Sequence, residues 1–365
     1  MRGTDSRTTD GSATPGRLLA FLALLLAVVL LAAGNGSAAP GSSNGFERAL
    51  QVQERHADEL LAKRGVTGTA TGRADNGAAA VKVYTVRRGV RGIPHTLEGV
   101  AVDVEVTGEL SALHHRPGHS GGPGGGDGDG GGGPDPGSLS PTDRWPRPAP
   151  IGISTGNVGE CSAGTIGARV VGGGQIYALS NNHVYALENE ASIGSDVLQP
   201  GRYDTGCAVD PDDVLGQLSA YEPIKFNGQD NVMDAALAVT STSSLGKATP
   251  PDGYGAPRSA AVGAQLGQGV QKYGRTTALT DGTVTGINAT VNVGYSSGVA
   301  RFVDQVIVES RKPFIKSGDS GSLVVTRPGR NPVALVFAGD NSGKFAVTNR
   351  IDRVLSRFNV TVDGD

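Results

Sequence analysis

Ser317-Gly318-Asp319-Ser320-Gly321-Ser322 is the stretch on which the reading of this 365-residue chain turns. A serine between glycines can sit on a tight turn, with its hydroxyl exposed and nearby backbone N–H groups converging on one point. The amides of Gly318 and Ser320 are the pair that would converge, as a hole for a developing oxyanion. In a chain with 57 glycines an ordinary Gly-Asp-Ser turn accounts for the same residues, so the stretch needs partners.

A serine hydroxyl attacks poorly at neutral pH unless a base takes its proton, and imidazole has the pKa for that task. His183 is the only histidine after residue 119, in Ala178-Leu179-Ser180-Asn181-Asn182-His183-Val184, where a strand runs into a polar turn. A lone histidine is more often a satisfied structural residue. One histidine together with one Gly-Asp-Ser-Gly turn in the same region favours the functional reading. The third member is a carboxylate able to hold the imidazole in one tautomer and stabilise its cation. Asp234, in Asn231-Val232-Met233-Asp234-Ala235-Ala236-Leu237-Ala238, is an acid entering an apolar strand, where burial without a partner is costly. The rival acids Asp230 and Asp204 lie in polar loops, where a solvated carboxylate explains them.

From residue 151 to about 348, short runs of Val, Ile, Ala and Leu are punctuated by Gly, Asn and Asp at turn spacing. Runs at 165–171, 175–179, 214–220, 235–240, 270–274, 303–309, 323–326 and 333–338 read as strands, enough for two small barrels. Residues 349–358 close the region with Ile351, Val354, Leu355 and Phe358 on one helical face. Composition agrees: 57 Gly, 20 Pro and only 5% aromatic residues argue against a helical bundle and for an all-β class with many turns. With 32 basic and 35 acidic residues and no basic stripe, a nucleic-acid partner is not expected.

The order His183, Asp234, Ser320, at separations of 51 and 86 residues, resembles the trypsin-like serine peptidases of the chymotrypsin fold. The Asn-Asn-His-Val, Asp-Ala-Ala-Leu-Ala and Gly-Asp-Ser-Gly-Ser contexts carry the same likeness over residues 151–360, nearest to secreted bacterial and plant members of the narrow-leaf type. The resemblance implies two six-stranded antiparallel β-barrels with a C-terminal helix and a cleft between the barrels. It implies His183 as general base, Asp234 as its orienter, Ser320 as nucleophile and the Gly318 and Ser320 amides as oxyanion donors, acting on a peptide or protein substrate without a cofactor. It also implies that Phe337, Ala338 and Gly339 offer an extended edge to substrate backbone, with Phe314 as the floor of the primary specificity pocket. No acid stands there, so a demand for Arg or Lys is not expected. Animal digestive members begin their mature chain with Ile-Val-Gly-Gly, whose amino group pairs with the Asp beside the nucleophile. This chain has Ile151-Gly152-Ile153, and an N-terminal activation switch is not expected.

Upstream, polar residues end in Arg17 and an apolar run covers residues 18–33, followed by small residues: a secretory signal peptide over 1–39, with an uncleaved signal anchor as the alternative. Either places the remainder outside the cytoplasm. Residues 44–113 read as a small α+β unit, with a helix ending at Gly65 and strands at 66–70, 78–86 and 100–106, the last with Val100, Val102, Val104 and Val106 on one face. A pro-region or regulatory role suits its position. Residues 114–150 read as a disordered linker, since 117–150 alone hold 12 Gly and 8 Pro. His114, His115, His119, Asp127 and Asp129 fall there and do not suggest a metal site, because a glycine tether cannot fix ligands. Cys161 and Cys207 are an even pair in a chain that leaves the cytoplasm and suggest one disulfide, the alternative being two buried thiols.

The expectation is thus a secreted serine endopeptidase over residues 151–365. From a different class, the alternative is a catalytically inactive binding or scaffold protein on the same frame. A small-ester hydrolase is disfavoured, because no strand-to-helix Gly-x-Ser-x-Gly elbow surrounds Ser320.

Overall fold

A computed structural model describes residues 43–113 and 139–365. The expected signal peptide, the three linker histidines His114, His115 and His119, and Asp127 and Asp129 lie outside the described residues.

Helix α1 (Ser43–Leu61) buries Ala49, Val52, Ala57 and Leu60 along one face, the consequence of apolar spacing near 3.6 residues. The chain reverses at Gly65, whose φ of +95° a side chain would disfavour. Four strands follow: β1 (Val66–Arg73), β2 (Ala79–Thr85), β3 (Thr96–Leu97) and β4 (Val100–Val106), then the short β5 (Ser111–Ala112). The helix shares a core with Val66, Val81, Val83 and Val100. The valine face expected on β4 is buried only at its start: Val104 and Val106 are 49% and 46% exposed, because the apolar cluster under α1 reaches Val100 and Val102 and stops.

The next strands are β6 (Ser154–Asn157), β7 (Gly164–Thr165), β8 (Ala168–Gly172), β9 (Gln175–Ser180), β10 (Asp196–Leu198), β11 (Val214–Tyr221), β12 (Asp230–Asn231) and β13 (Ala236–Thr240), with the short helix α2 (Asn182–Tyr185) after β9. They pair in the order β8-β9-β13-β11-β10-β6-β7, leaving β12 aside. Strand β7 runs into β8 through Gly167, whose amide donates to Leu179 O at 2.8 Å, so the ring closes on itself. The second ring is β14 (Gly269–Gly274), β15 (Ala278–Tyr295), β16 (Gly298–Glu309), β17 (Leu323–Thr326), β18 (Pro332–Gly339) and β19 (Phe345–Arg350). Its order is β16-β19-β18-β17-β14-β15, closed by the β15–β16 pairing. Among the described residues each barrel therefore has six strands, counting β7 and β8 as one bent strand. Helix α3 (Ile351–Phe358) and β20 (Thr361–Val362) end the chain; β20 pairs with β8, and Ile351 and Val354 pack with Leu179 of one barrel and Leu335 of the other. The fold is all-β and chymotrypsin-like, with a C-terminal helix.

Residues 43–113 are not set apart from the barrels. Strand β1 pairs antiparallel with β15, Gly68 opposite Val291 and Gly72 opposite Gly286, so the N-terminal sheet continues that of the second barrel. Tyr84 is fully buried against Phe345, ring centroids 4.7 Å apart, in a cluster with Val291, Ile307 and Val347. Residues 139–150 depart from the expected linker: Ser154 N donates to Pro141 O at 2.8 Å, Ala149 N to Ser244 O at 2.9 Å, and Ala149 is fully buried. The prolines there suit an extended strap along a barrel, since they bring few N–H groups that need partners.

Cys161 and Cys207 form a disulfide, Cα atoms 5.1 Å apart, closing 46 residues of the first barrel. Replacing both with serine is expected to cost about 3–4 kcal/mol on the loop-entropy account, read as a lower urea midpoint with a somewhat higher m-value, because the unfolded chain expands without the cross-link.

Candidate active site

Strand β9 ends at Ser180, and the polar run Asn181-Asn182 starts the single turn of α2 that carries His183. Asp234 lies just before β13, which pairs directly with β9, Ala236 opposite Ser180. That pairing brings together two residues 51 positions apart. Both side chains are wholly buried, and His183 Nδ1 lies 2.5 Å from Asp234 Oδ2. An ionised carboxylate can only accept, so Nδ1 carries the proton and donates, leaving Nε2 with its lone pair. The His183 amide also donates to Asp234 Oδ1, at 3.2 Å.

Three further groups hold Asp234, and none was visible in the sequence. Tyr295, at the end of β15, donates its hydroxyl to Asp234 Oδ2 at 2.8 Å. Asn349 of β19 takes the Asp234 amide on Oδ1 at 3.1 Å and donates Nδ2 to the Asp234 carbonyl at 3.0 Å. Asn181 Nδ2 donates to the same carbonyl at 2.7 Å. The Tyr295 phenol is pushed well above its usual pKa, first by burial and then by the Asp234 charge, so it stays a donor. Its ring also meets the His183 imidazole edge to face, 5.9 Å between centroids. The hairpin tip is pinned by Glu188, which accepts from Ser296 Oγ at 2.7 Å and Ser297 N at 2.8 Å. Burial opposes the Glu188 charge, but the Ser297 and Ser296 bonds and nearby His183 outweigh it and hold the carboxyl below its usual range.

The turn containing Ser320 lies where the barrels meet. Thr165 N donates to Ser320 O at 2.7 Å and Thr165 Oγ1 to Gly318 O at 2.8 Å. Gly318 and Gly321 take φ of +96° and +90°, and a Cβ on Gly321 would strike Ser180 Oγ and Thr165 O. Only glycine allows the turn to lie this close to the strand leading to His183. A Cβ on Gly164 would likewise meet both Val184, the neighbour of His183, and Ser320 O. Ser320 is fully buried, and its hydroxyl donates to Phe337 O over a long 3.4 Å.

Asp319 shapes this turn from beneath. It accepts from the amides of Thr276 and Lys316, each at 2.8 Å, and from Thr277 Oγ1 at 2.7 Å, with Lys272 Nζ 3.5 Å away and both side chains wholly buried. Burial lowers the Lys272 pKa while the Asp319 charge opposes it. An internal lysine thus faces Asp319, while Ile151 N is bonded to Ala248 O at 3.0 Å. Of the rival acids, Asp230 is 55% exposed beside Arg301, as its loop setting suggests. Asp204 is not solvated: its side chain is 6% exposed, bound to Arg275 and accepting from Ser154 Oγ at 2.5 Å. Arg275, far along the chain, supplied a partner that local sequence did not reveal.

Phe337, Ala338 and Gly339 form the end of β18, where they meet residues 111–113: Ala112 pairs with Ala338, Ser111 with Gly339, and Leu113 N donates to Phe337 O at 3.3 Å. Gly318 N donates to Leu113 O at 2.8 Å. Phe314 is fully buried and shares a cluster with Leu113. Among the described residues no group of three His, Cys, Asp or Glu side chains is placed to hold a metal ion, and no helix is long and apolar enough to cross a membrane.

No family model and no curated protein matches the chain. Solved structures similar to it are bacterial chymotrypsin-fold serine proteases. A glutamic acid-specific serine protease is 21% identical, covering 59% of this chain and 100% of that one at a TM-score of 0.44. Thermobifida fusca protease A is 20% identical over 60% and 100%, TM-score 0.42, and Nocardiopsis protease 19% over 59% and 99%, TM-score 0.42. Likeness at this level assigns neither a substrate nor a role to any residue.

Lys272→Met is expected to lose about 3 kcal/mol of stability, because it strands the Asp319 charge in the interior. Thermal or urea unfolding of the variant checks this.

Proposed function

We propose that the chain is a secreted serine endopeptidase, of the bacterial and narrow-leaf kind that its motifs resemble, with residues 44–113 as its pro-region. Ser320 is the nucleophile, His183 the general base and Asp234 the group that orients it; the Gly318 and Ser320 amides receive the oxyanion. The observation that carries this reading is a buried imidazole whose Nδ1 is committed to Asp234, beside a glycine turn whose Gly318 amide already holds a peptide carbonyl at 2.8 Å. In the reaction Ser320 Oγ attacks the substrate carbonyl as Nε2 takes its proton. The imidazolium, stabilised by Asp234, then gives that proton to the leaving amine. Water, deprotonated by the same nitrogen, hydrolyses the acyl-enzyme. Electrostatic stabilisation at the turn is the larger contribution, since its amides are fixed before reaction begins. The disulfide suits an extracytoplasmic setting.

Labelling of Ser320 by a fluorophosphonate, and casein hydrolysis that falls by roughly four to six orders of magnitude in Ser320→Ala, are the expected results. Equal turnover by both proteins would refute the mechanism, and a folded wild type inert to both reagents would favour the scaffold alternative. Tyr295→Phe tests the positioning of Asp234. With one donor fewer, the carboxylate binds the imidazolium more tightly, so the acid limb of the kcat/KM profile is expected to move to higher pH, with kcat down about 10-fold and KM little changed.

A further inference from the structure

Each of the two amides in the Ser320 turn belongs to a peptide unit whose carbonyl is held on its far side. For the Ser320 amide that carbonyl is Asp319 O, and it is met within the turn, by Ser322 N at 3.0 Å and Ser322 Oγ at 2.6 Å. For the Gly318 amide it is Ser317 O, and it is met from another loop: Thr276, between β14 and β15, donates its hydroxyl to it at 2.7 Å. In a trans peptide the N–H and C=O point opposite ways, so whatever holds the Ser317 carbonyl aims the Gly318 amide. Gly318 needs that hold. With φ of +96° and no side chain it can turn this peptide over at little cost, and its amide would then face away from a reacting carbonyl.

Arg275 stands behind the hydroxyl. Its Nη1 donates to Thr276 Oγ1 at 2.9 Å, and because a guanidinium only donates, the hydroxyl proton is left for Ser317 O. The Arg275 amide repeats the pattern on the other side of Gly318, donating at 3.0 Å to Thr165 Oγ1, which donates to Gly318 O at 2.8 Å. The guanidinium is itself fixed by Asp204, through Nε to Oδ2 at 2.7 Å and Nη2 to Oδ1, with both side chains almost wholly buried. A Cβ on Gly318 would lie on Arg275 Nη1 and Thr276 Oγ1, so these groups touch the turn directly.

We infer that Thr276 is a positioning residue for the reaction: ordered by Arg275 and Asp204, its hydroxyl locks the Ser317–Gly318 peptide with the Gly318 amide facing the developing oxyanion. The inference rests on the peptidase reading above. It adds a requirement that the triad does not contain, since His183, Asp234 and Ser320 all stay in place if this one peptide turns over. The lock acts on the transition state more than on bound substrate, because charge gathers on the carbonyl oxygen only as the bond to Ser320 forms.

The test uses the full-length protein with a fluorogenic peptide copied from the casein bond it cuts fastest. A peptide aldehyde ending at the residue before that bond serves as the transition-state mimic. Thr276 is exposed, so Thr276→Val is compatible with the fold, which near-UV circular dichroism checks. For this variant kcat is expected to fall about 10- to 100-fold with KM within about 2-fold, less than for deletion of an oxyanion donor because the amide is displaced and not removed. The aldehyde should lose affinity by the same factor. Thr276→Ser keeps the hydroxyl and should stay within about 3-fold of wild type. Asp204→Asn is expected to lower kcat in the same way and to add little to Thr276→Val, since both act through one hydroxyl; additive losses would overturn the part given to Asp204. Wild-type kcat in Thr276→Val, a loss confined to KM, or a Thr276→Ser as impaired as Thr276→Val would each overturn the inference and leave the peptidase reading standing. A wild type that neither labels at Ser320 nor hydrolyses casein would remove both.

Discussion

A carboxylate with no access to water has to be matched donor for donor, and Asp234 imposes that condition on the rest of the molecule. Its charge is met by the His183 ring and amide and by the Tyr295 hydroxyl, while Asn181 and Asn349 clamp its backbone. These groups come from β9 and α2 of one barrel and from β15 and β19 of the other. The barrels must therefore stay in register for these hydrogen bonds to persist. The same arrangement fixes the imidazole tautomer, because the nitrogen facing Asp234 cannot be the acceptor.

A second buried pair, Lys272 and Asp319, does for the nucleophile turn what Asp234 does for the base. Asp319 collects amides from residues 276, 277 and 316, so the turn holding Gly318 and Ser320 is braced from below whether or not a peptide lies above it. Donors that are oriented beforehand need no reorganisation when charge develops, which is why a rigid turn is worth more than a flexible one bearing the same groups. Arg275 and Asp204 form a third pair nearby, bonded through Thr165 to the same turn.

The N-terminal residues complete the sheet. An open strand end exposes unpaired N–H and C=O groups, and β18 has theirs met by residues 111–113. Because β1 also adds to β15, and Tyr84 enters the second barrel's core, residues 43–113 are attached to that barrel both by backbone pairing and by apolar burial. At its end this unit lies along the turn that holds Ser320, whose side chain is wholly buried.

Much of this was legible in the chain. Strand runs at 175–179, 270–274 and 323–326 match β9, β14 and β17 closely, since each is a short apolar run between turn residues. The C-terminal helix was equally plain from Ile351 and Val354. The long β15 was not: only 303–309 of its hairpin was recognisable, because Gly, Asn and Thr interrupt residues 278–302 and its strands are ordered by β1 and by each other. The surroundings of Asp204 were misjudged for the same reason, its partner Arg275 being 71 residues away.

The sequence by itself determined the residue types and the rarities: one histidine and one Gly-Asp-Ser-Gly turn after residue 119, an acid at the head of an apolar strand, two cysteines, and short strand-forming runs that favour an all-β fold. Only the tertiary structure decided which groups hold Asp234, which cation faces Asp319, and that residues 110–113 lie across the site. Local pattern sets what each segment tends to form, but a hydrogen bond between Leu113 and Gly318, or between Tyr295 and Asp234, depends on the closure of two barrels, which brings together residues that no local spacing relates.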